Sequence, residues 1–330
     1  MPSDSFVAVE SLRKYFRLGR GQMLHAVDDI SFTIARGRTL GMAGESGCGK
    51  TTVGRTLIRL YAADGGRVLF DGQDVHKASH AAAHALSRRM QMIFQDPYAS
   101  LDPRKTVGAI VGEGLVIHNL CPTRAARQAR VYELLQMVGL SREHASRFPH
   151  EFSGGQRQRV GIARALAVNP EFIICDEAIS ALDVSIQAQI MNLLVRLQAQ
   201  LGLTYLFISH DLSMMRHIAD DIAVMYLGVL VEKAPTAALF AAPLHPYTRG
   251  LLAAVPEPDP DFEQRRPQTL LAGEVPSPLN PGSGCRFRAR CEKATELCAA
   301  STPPLTDHGA GHFVACHHIR PSKSLTLFDG

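Results

Sequence analysis

Residues 44–51 read Gly44-Glu45-Ser46-Gly47-Cys48-Gly49-Lys50-Thr51, with Thr52 next. The pattern Gly-x4-Gly-Lys-Thr suits one kind of chemistry. Glycines let successive backbone N–H groups curl around phosphate oxygens, and the start of a helix behind the loop would add its positive dipole end. Lys50 would reach the β- and γ-phosphates, and the Thr51 hydroxyl would ligate Mg²⁺. Phe172-Ile173-Ile174-Cys175-Asp176-Glu177 is the expected complement. An apolar run ends in two carboxylates, Asp176 to hold Mg²⁺ and Glu177 to polarise an attacking water. Alone, acidic residues after a strand would pass as a helix cap; beside the phosphate loop they read as catalytic.

These side chains need rigid elements behind them. The apolar run 39–43 predicts a buried strand ahead of the loop, and 51–60 a helix behind it, the context the motif requires. Residues 6–10, 30–34 and 68–70 read as further strands, the last closed by Asp71-Gly72. Residues 78–89 and 123–137 are rich in helix formers, and 186–201 carries apolar residues at helical spacing. That helix lies between the short apolar runs 172–175 and 205–208, of the kind found in a sheet buried on both faces. Strand, crossover helix, strand is an α/β pattern.

The chain has 330 residues, enough for about two domains and for a core that needs no disulfides. Its net charge of +4 is mild and its Lys and Arg residues are scattered, which gives little support to a nucleic-acid partner. No apolar run approaches the roughly 20 residues of a membrane span. The first residues lack the basic start and apolar core of a signal peptide, so a cytosolic protein is expected, reaching a membrane only through a partner. Seven cysteines in such a chain are not expected to form a disulfide framework. Past about residue 254 the composition shifts. Pro256, Pro258, Pro260, Pro267, Pro276, Pro278 and Pro281 exclude regular helix or central strand and predict a linker, or extended chain across a surface.

Phe152-Ser153-Gly154-Gly155-Gln156 runs into a helix-like segment, 157–166. A serine and two glycines at a helix start form a second anion site. This segment resembles the signature of the ATP-binding cassette (ABC) family, Leu-Ser-Gly-Gly-Gln, with Phe152 in place of Leu. The resemblance covers about residues 6–240. It implies an α/β P-loop NTPase fold: a RecA-like core, an antiparallel β subdomain and a helical signature subdomain. It also implies head-to-tail pairing of two cassettes, in which Ser153, Gly154, Gly155 and Gln156 complete the partner's ATP site. Further positions resemble the family one by one. Gln95 resembles the glutamine that contacts Mg²⁺ and water and faces the membrane subunits. Ser180, Ala181, Leu182 and Asp183 resemble the loop that crosses the dimer interface. His210 resembles the histidine on the γ-phosphate, and Phe16, with Tyr15 its rival, the aromatic stacked on adenine. Where the family has Pro after the catalytic glutamate, this chain has Ala178-Ile179, a change touching loop stiffness and not the carboxylates.

Three segments are similar to those of oligopeptide and dipeptide importer ATPases: 94–104, 180–189, and 245–256, which opens His245-Pro246-Tyr247-Thr248-Arg249. The spacing Cys285-x5-Cys291-x6-Cys298-x17-Cys316 lacks the tight Cys pairs of zinc fingers. Four thiolates on a loop-rich segment suit an iron–sulfur cluster. The same spacing in peptide-importer ATPases implies a [4Fe–4S] cluster; the alternatives are Zn²⁺, with His312, His317 or His318 as extra ligands, and unliganded thiols.

The expected organisation is a cassette over 1–240 and a cysteine-containing extension over 241–330. The resemblance implies an ATP- and Mg²⁺-dependent ATPase at the cytoplasmic face of the inner membrane. Its implied partners are a second, related ATPase subunit in a heterodimer, two membrane permeases and, indirectly, a substrate-binding protein. Glu177, His210, Lys50 and Gln95 would carry catalysis, with Thr51, Gln95 and Asp176 on the metal. A soluble ABC ATPase of translation or DNA repair is the alternative. It is disfavoured by a single cassette without a long coiled coil. A non-hydrolysing regulatory module is disfavoured by the intact Lys50, Asp176, Glu177 and His210. The transported substrate is not written in this chain.

Overall fold

The computed structural model describes residues 5–19, 21–96, 98–180, 182–254, 273 and 276–319. Ala181 and the prolines 256, 258, 260 and 267 lie outside the described residues. The chain begins with strands β1 (Ser5–Arg17), β2 (Met23–Ala35) and β3 (Thr39–Ala43), then helix α1 (Lys50–Leu57). Next come β4 (Gly65–Phe70), β5 (Gln73–Asp74), α2 (His80–Arg89) and β6 (Met90–Ile93). A helical stretch holds α3 (Val107–Ile117), α4 (Arg124–Met137) and α5 (Gly154–Leu166). Then come β7 (Phe172–Asp176), α6 (Val184–Leu201), β8 (Thr204–Ile208), α7 (Leu212–Ile218), β9 (Asp221–Tyr226) and β10 (Val229–Pro235). The chain continues through α8 (Thr236–Ala241), α9 (Pro246–Ala253), α10 (Glu296–Ala300), β11 (Thr306–Asp307) and β12 (Phe313–Val314).

Two sheets carry the fold. An antiparallel one has the order β2-β1-β4-β5, and a mixed one β11-β12-β10-β9-β3-β8-β7-β6. Within the second, β9, β3, β8, β7 and β6 run parallel. Every residue of β3, β7 and β8 is buried, which explains their unbroken apolar runs: helices or a second sheet cover both faces. Side chains alternate between two cores. Phe172 and Ile174 join Phe6, Leu12, Ile30 and α1's Val53 beneath the antiparallel sheet. Ile173 and Cys175 point the other way, to Val160 and Ile162 of α5, Ile190 and Leu194 of α6, and the α3–α4 pair.

The helix starts reflect local chemistry. Thr106, Thr123 and Ser153 each accept a backbone N–H two or three residues into α3, α4 and α5. Gly202, at φ 65°, ends α6 in the left-handed conformation. The fold matches the expected α/β cassette with its antiparallel β sheet and helical unit. α3 gives no helical signal in the sequence because Val-Gly-Ala-Ile-Val-Gly-Glu-Gly-Leu-Val-Ile has apolar residues around its whole circumference and three glycines.

The C-terminal segment lies on the cassette. β12 pairs antiparallel with β10, extending the central sheet. Residues 276–280 form extended chain over β2: the Pro278 carbonyl accepts the His25 N–H at 3.4 Å, and Leu279 bridges to Leu24. Phe287, 2% exposed, is an anchor among Tyr226, Tyr247 and His245.

Candidate active site

Four neighbouring parallel strands deliver the site at their carboxyl ends, where ligands of open α/β sheets bind. β3 leads into the phosphate loop, β7 ends in Asp176 with Glu177 next, β8 precedes Ser209 and His210, and β6 leads to Gln95. Strand order therefore explains how residues more than a hundred positions apart meet.

The loop needs glycine at two places for steric reasons. At Gly44 (φ 150°) a Cβ would sit 2.2 Å from the Met225 carbonyl oxygen, and at Gly49 (φ 109°) 2.0 Å from that of Ala26. Both clashes are with backbone, so no side-chain movement relieves them. Lys50, 4% exposed, opens α1 and donates to the carbonyls of Gly44 (2.7 Å) and Glu45 (2.9 Å). Its ammonium is thus held inside the loop where phosphate oxygens would replace those carbonyls. A cleft of about 210 Å³ is lined by Ser46, Gly47, Cys48, Gly49, Lys50, Thr51, Thr52, Gln95 and Glu177, and by Phe16. Phe16 faces this cleft, whereas Tyr15 does not line it. The Tyr15 hydroxyl donates to Asp28 at 2.5 Å, and burial with that carboxylate pushes its pKa up to about 12.

The Thr51 hydroxyl donates to Asp176 Oδ1 at 2.8 Å. The other oxygen, Oδ2, is buried without a hydrogen-bond partner, and burial raises this carboxyl above the usual range against the Thr51 hydrogen bond. An orphaned carboxylate oxygen beside a threonine hydroxyl and a phosphate loop fits Mg²⁺, which takes one or two protein oxygens and completes its shell with phosphate and water. Gln95 Nε2 donates to Glu177 Oε2 at 2.7 Å, and His210 Nδ1 lies 3.6 Å from Glu177 Oε1. Glu177 has φ 43°, rare for a residue with a side chain, and its N–H donates to Ile208 O at 3.0 Å. Ala178, directly after Glu177, and Ile179 are each 2% exposed and fill the core beneath this turn.

Ser153, Gly154, Gly155 and Gln156 form the capped start of α5 and do not line this cleft. Gln156 Oε1 accepts the Ser153 N–H at 3.0 Å, a capping box that fixes the turn. A Cβ on Gly155 would lie 2.5 Å from Ile186 Cγ2, and one on Gly154 3.3 Å from Leu182 Cδ2. The signature therefore rests on Leu182 and α6. Ser180 N–H and hydroxyl both donate to the Glu177 carbonyl, at 3.1 and 3.0 Å, and Asp183 immediately precedes α6 without a side-chain capping bond. A short path thus joins Glu177, Ser180, Leu182 and the signature.

The iron–sulfur expectation for Cys285, Cys291, Cys298 and Cys316 is corrected by the structure. Among the described residues no three His, Cys, Asp or Glu side chains are placed to hold a metal, which removes support for zinc as well. Burial raises the Cys285 and Cys291 thiols, favouring the protonated form over the thiolate that a cluster needs. Cys298 is buried and its Sγ faces the Thr295 hydroxyl (3.6 Å) and His318 Nε2 (3.5 Å). The other histidines are engaged elsewhere: His312 Nε2 hydrogen-bonds to Glu232 Oε1 at 2.6 Å and His317 Nε2 to the Ser301 carbonyl at 2.9 Å. Packing around Phe287, the β10–β12 pairing and the Glu232–His312 bond attach the segment.

Sequence reasoning missed several contributors. Leu24, His25, Leu227, Gly228 and Pro278 also line the cleft. The Tyr247 hydroxyl accepts the Glu45 N–H at 2.9 Å, and Arg290 Nη1 donates to both Glu45 carboxylate oxygens at 3.1 and 2.8 Å. Tyr247 carried a signal, since Pro246 at the first turn of α9 fixes its position. Arg290, beside Cys291, carried none.

Comparison with known proteins agrees with this geometry. The sequence profile of the ABC transporter family matches residues 27–180, and that of the oligopeptide/dipeptide transporter C-terminal region matches 231–298. The oligopeptide transport ATP-binding protein OppF of Bacillus subtilis (strain 168) is 60% identical over 287 residues, 87% of this chain and 93% of that protein. Among solved structures, cbiO1 of Clostridium perfringens, part of the ABC transporter complex cbiONQ, superposes with a TM-score of 0.64 at 29% identity. That match covers 73% of this chain and 92% of cbiO1. The ATP-binding cassette MJ0796, a dimer in a post-hydrolysis state with ADP and Pi, gives a TM-score of 0.64 at 27% identity, over 70% of this chain and 98% of MJ0796.

Proposed function

From the premise that this chain belongs to the ABC transporter family, in its oligopeptide/dipeptide group, we propose how its residues serve as the ATP-hydrolysing subunit of a peptide importer. The observation that carries the assignment is the convergence of Lys50, Thr51–Asp176 and Gln95–Glu177–His210 at the ends of four adjacent strands. Nucleotide phosphates would enter the loop, taking over the Lys50 ammonium from the Gly44 and Glu45 carbonyls. Thr51 and Asp176, with Gln95, would hold Mg²⁺, which when bound neutralises charge across the β- and γ-phosphates. Glu177, positioned by Gln95, would orient and deprotonate the attacking water, and His210 would stabilise the γ-phosphate. Phe16 would stack on the base.

The signature at Ser153–Gly154–Gly155–Gln156 would act in trans, on the ATP site of a second, related ATPase subunit, with Ser180, Ala181, Leu182 and Asp183 at the interface. Pairing would drive two permeases at the cytoplasmic face of the inner membrane, supplied by a substrate-binding protein. We divide the chain at 240/241 into cassette and extension. The alternative, a soluble ATPase of translation or DNA repair, gains no support from a chain whose C-terminal part matches the oligopeptide transporter region. The test is uptake of labelled peptide by cells lacking this chain. Uptake should be lost, restored by the wild-type chain and not by Lys50→Ala; uptake unchanged in its absence contradicts the assignment.

A further inference from the structure

Glu45 is the second residue of the phosphate loop, and each of its three polar groups is held separately. Its N–H donates to the Tyr247 hydroxyl, its carbonyl accepts from Lys50, and its carboxylate accepts from Arg290. Two of these partners lie far along the chain, on α9 and on the short turn Arg288–Arg290, outside every motif that recognises nucleotide. Both are well placed to act as fixed points. Tyr247 is fully buried, and the Arg290 side chain is 5% exposed with its guanidinium 5.9 Å from the Tyr226 ring centroid.

A cavity of about 240 Å³ adjoins the loop, lined by Glu45, Gly47, Cys48 and Tyr226 together with Pro276 and Pro278 of the C-terminal segment. A second arginine of the same segment, Arg286, pairs with Asp28, which also accepts from Tyr15. Pro278 itself lines the nucleotide cleft. Residues 276–290 thus reach the cleft at Pro278 and the phosphate loop at Glu45.

We propose that Arg290, together with Tyr247, is a positioning residue of the nucleotide site. It anchors the Glu45 peptide that carries the Lys50 contact, and it neutralises a carboxylate within the phosphate loop itself. The C-terminal segment is then part of the ATP site, and detaching it lowers nucleotide affinity. This rests on the assignment of the cleft to ATP.

The experiment is equilibrium binding of a fluorescent trinitrophenyl-ATP to the full chain. Arg290→Gln should raise Kd about ten-fold, the scale of one charge-assisted hydrogen bond. Glu45→Gln/Arg290→Gln, which removes the unpaired charge, should restore most of that loss, and Arg290→Lys should fall between. Tyr247→Phe, which keeps the buried ring, should weaken binding independently by about three-fold or more. Wild-type binding with no change in Arg290→Gln or Tyr247→Phe overturns the inference and leaves the ATP assignment standing. A loss in Arg290→Gln that the double variant does not relieve also overturns it, since that is the behaviour of a merely structural arginine. Should Arg290→Gln not fold, Tyr247→Phe decides alone: weaker binding supports the proposal and unchanged binding refutes it. A wild-type chain that binds no nucleotide would instead sink the underlying assignment.

Discussion

Gln95 Nε2 donates to Glu177 Oε2 at 2.7 Å, joining the loop after β6 to the turn after β7. The glutamine lies on the segment between the central sheet and the helical unit, so a shift of that unit would move the group hydrogen-bonded to the carboxylate proposed as the base.

Glu177→Gln keeps the size of the side chain and removes the base. ATP should bind as in the wild type while turnover of the assembled transporter falls at least about 100-fold. Steady-state phosphate release with a parallel binding measurement checks this, and undiminished turnover would remove Glu177 from the mechanism.

Lys50→Ala and Asp176→Asn act earlier. Losing the ammonium that is poised at the Gly44 and Glu45 carbonyls should weaken ATP binding about ten- to a hundred-fold. Asp176→Asn leaves the Thr51 contact largely in place but removes the charge for Mg²⁺. It should steepen the Mg²⁺ requirement of hydrolysis in a titration with the metal.

Gly155→Val separates the two anion sites. Its Cβ meets Ile186 Cγ2 at 2.5 Å, so Ile186 must leave its rotamer or the start of α5 or α6 must move, at about 1–3 kcal/mol. The signature does not line the chain's own cleft. ATP binding by the chain alone should therefore persist while turnover of the assembled pair falls about ten-fold or more. Equal loss of both would place the signature in the chain's own site.

These sites differ in how far the sequence exposes them. Lys50, Asp176 and Glu177 are legible because the phosphate loop and the apolar strand each fix local backbone, and motif spacing is local information. Gln95 and His210 become legible only through order along a known family pattern, because what unites them is the sequence of strands in the sheet. Pro278 reaches the cleft, and Tyr247 and Arg290 reach Glu45, through tertiary docking, which no periodicity records. The cysteines failed for the same reason. Their count suits a cluster, but spacing does not say that Cys298 turns inward to Thr295 and His318.

The docked segment also gives a pH signature. His245 is 1% exposed, its Nδ1 accepts the Tyr247 N–H at 3.1 Å, and burial lowers its pKa to about 4. The unfolded chain, with a His pKa near about 6.5, takes up a proton first as pH falls. Stability from this group is therefore fully present above about 6.5 and declines down to about 4, by at most about 1.4 kcal/mol per pH unit. Thermal midpoints from pH 8 to 4 should show this slope, and His245→Asn, which keeps a cap acceptor, should flatten it. An identical slope in the variant would assign the effect to other groups.

The central claim is that this chain holds half of a composite ATP site. The direct measurement is turnover per chain, first for the purified chain alone and then assembled with its partner ATPase and permeases in the same buffer. The account predicts slow hydrolysis alone, a rise of about ten-fold or more on assembly, and loss of that rise when the partner's site faces Gly155→Val in this chain. Full turnover by the isolated chain, unchanged by assembly, would contradict it.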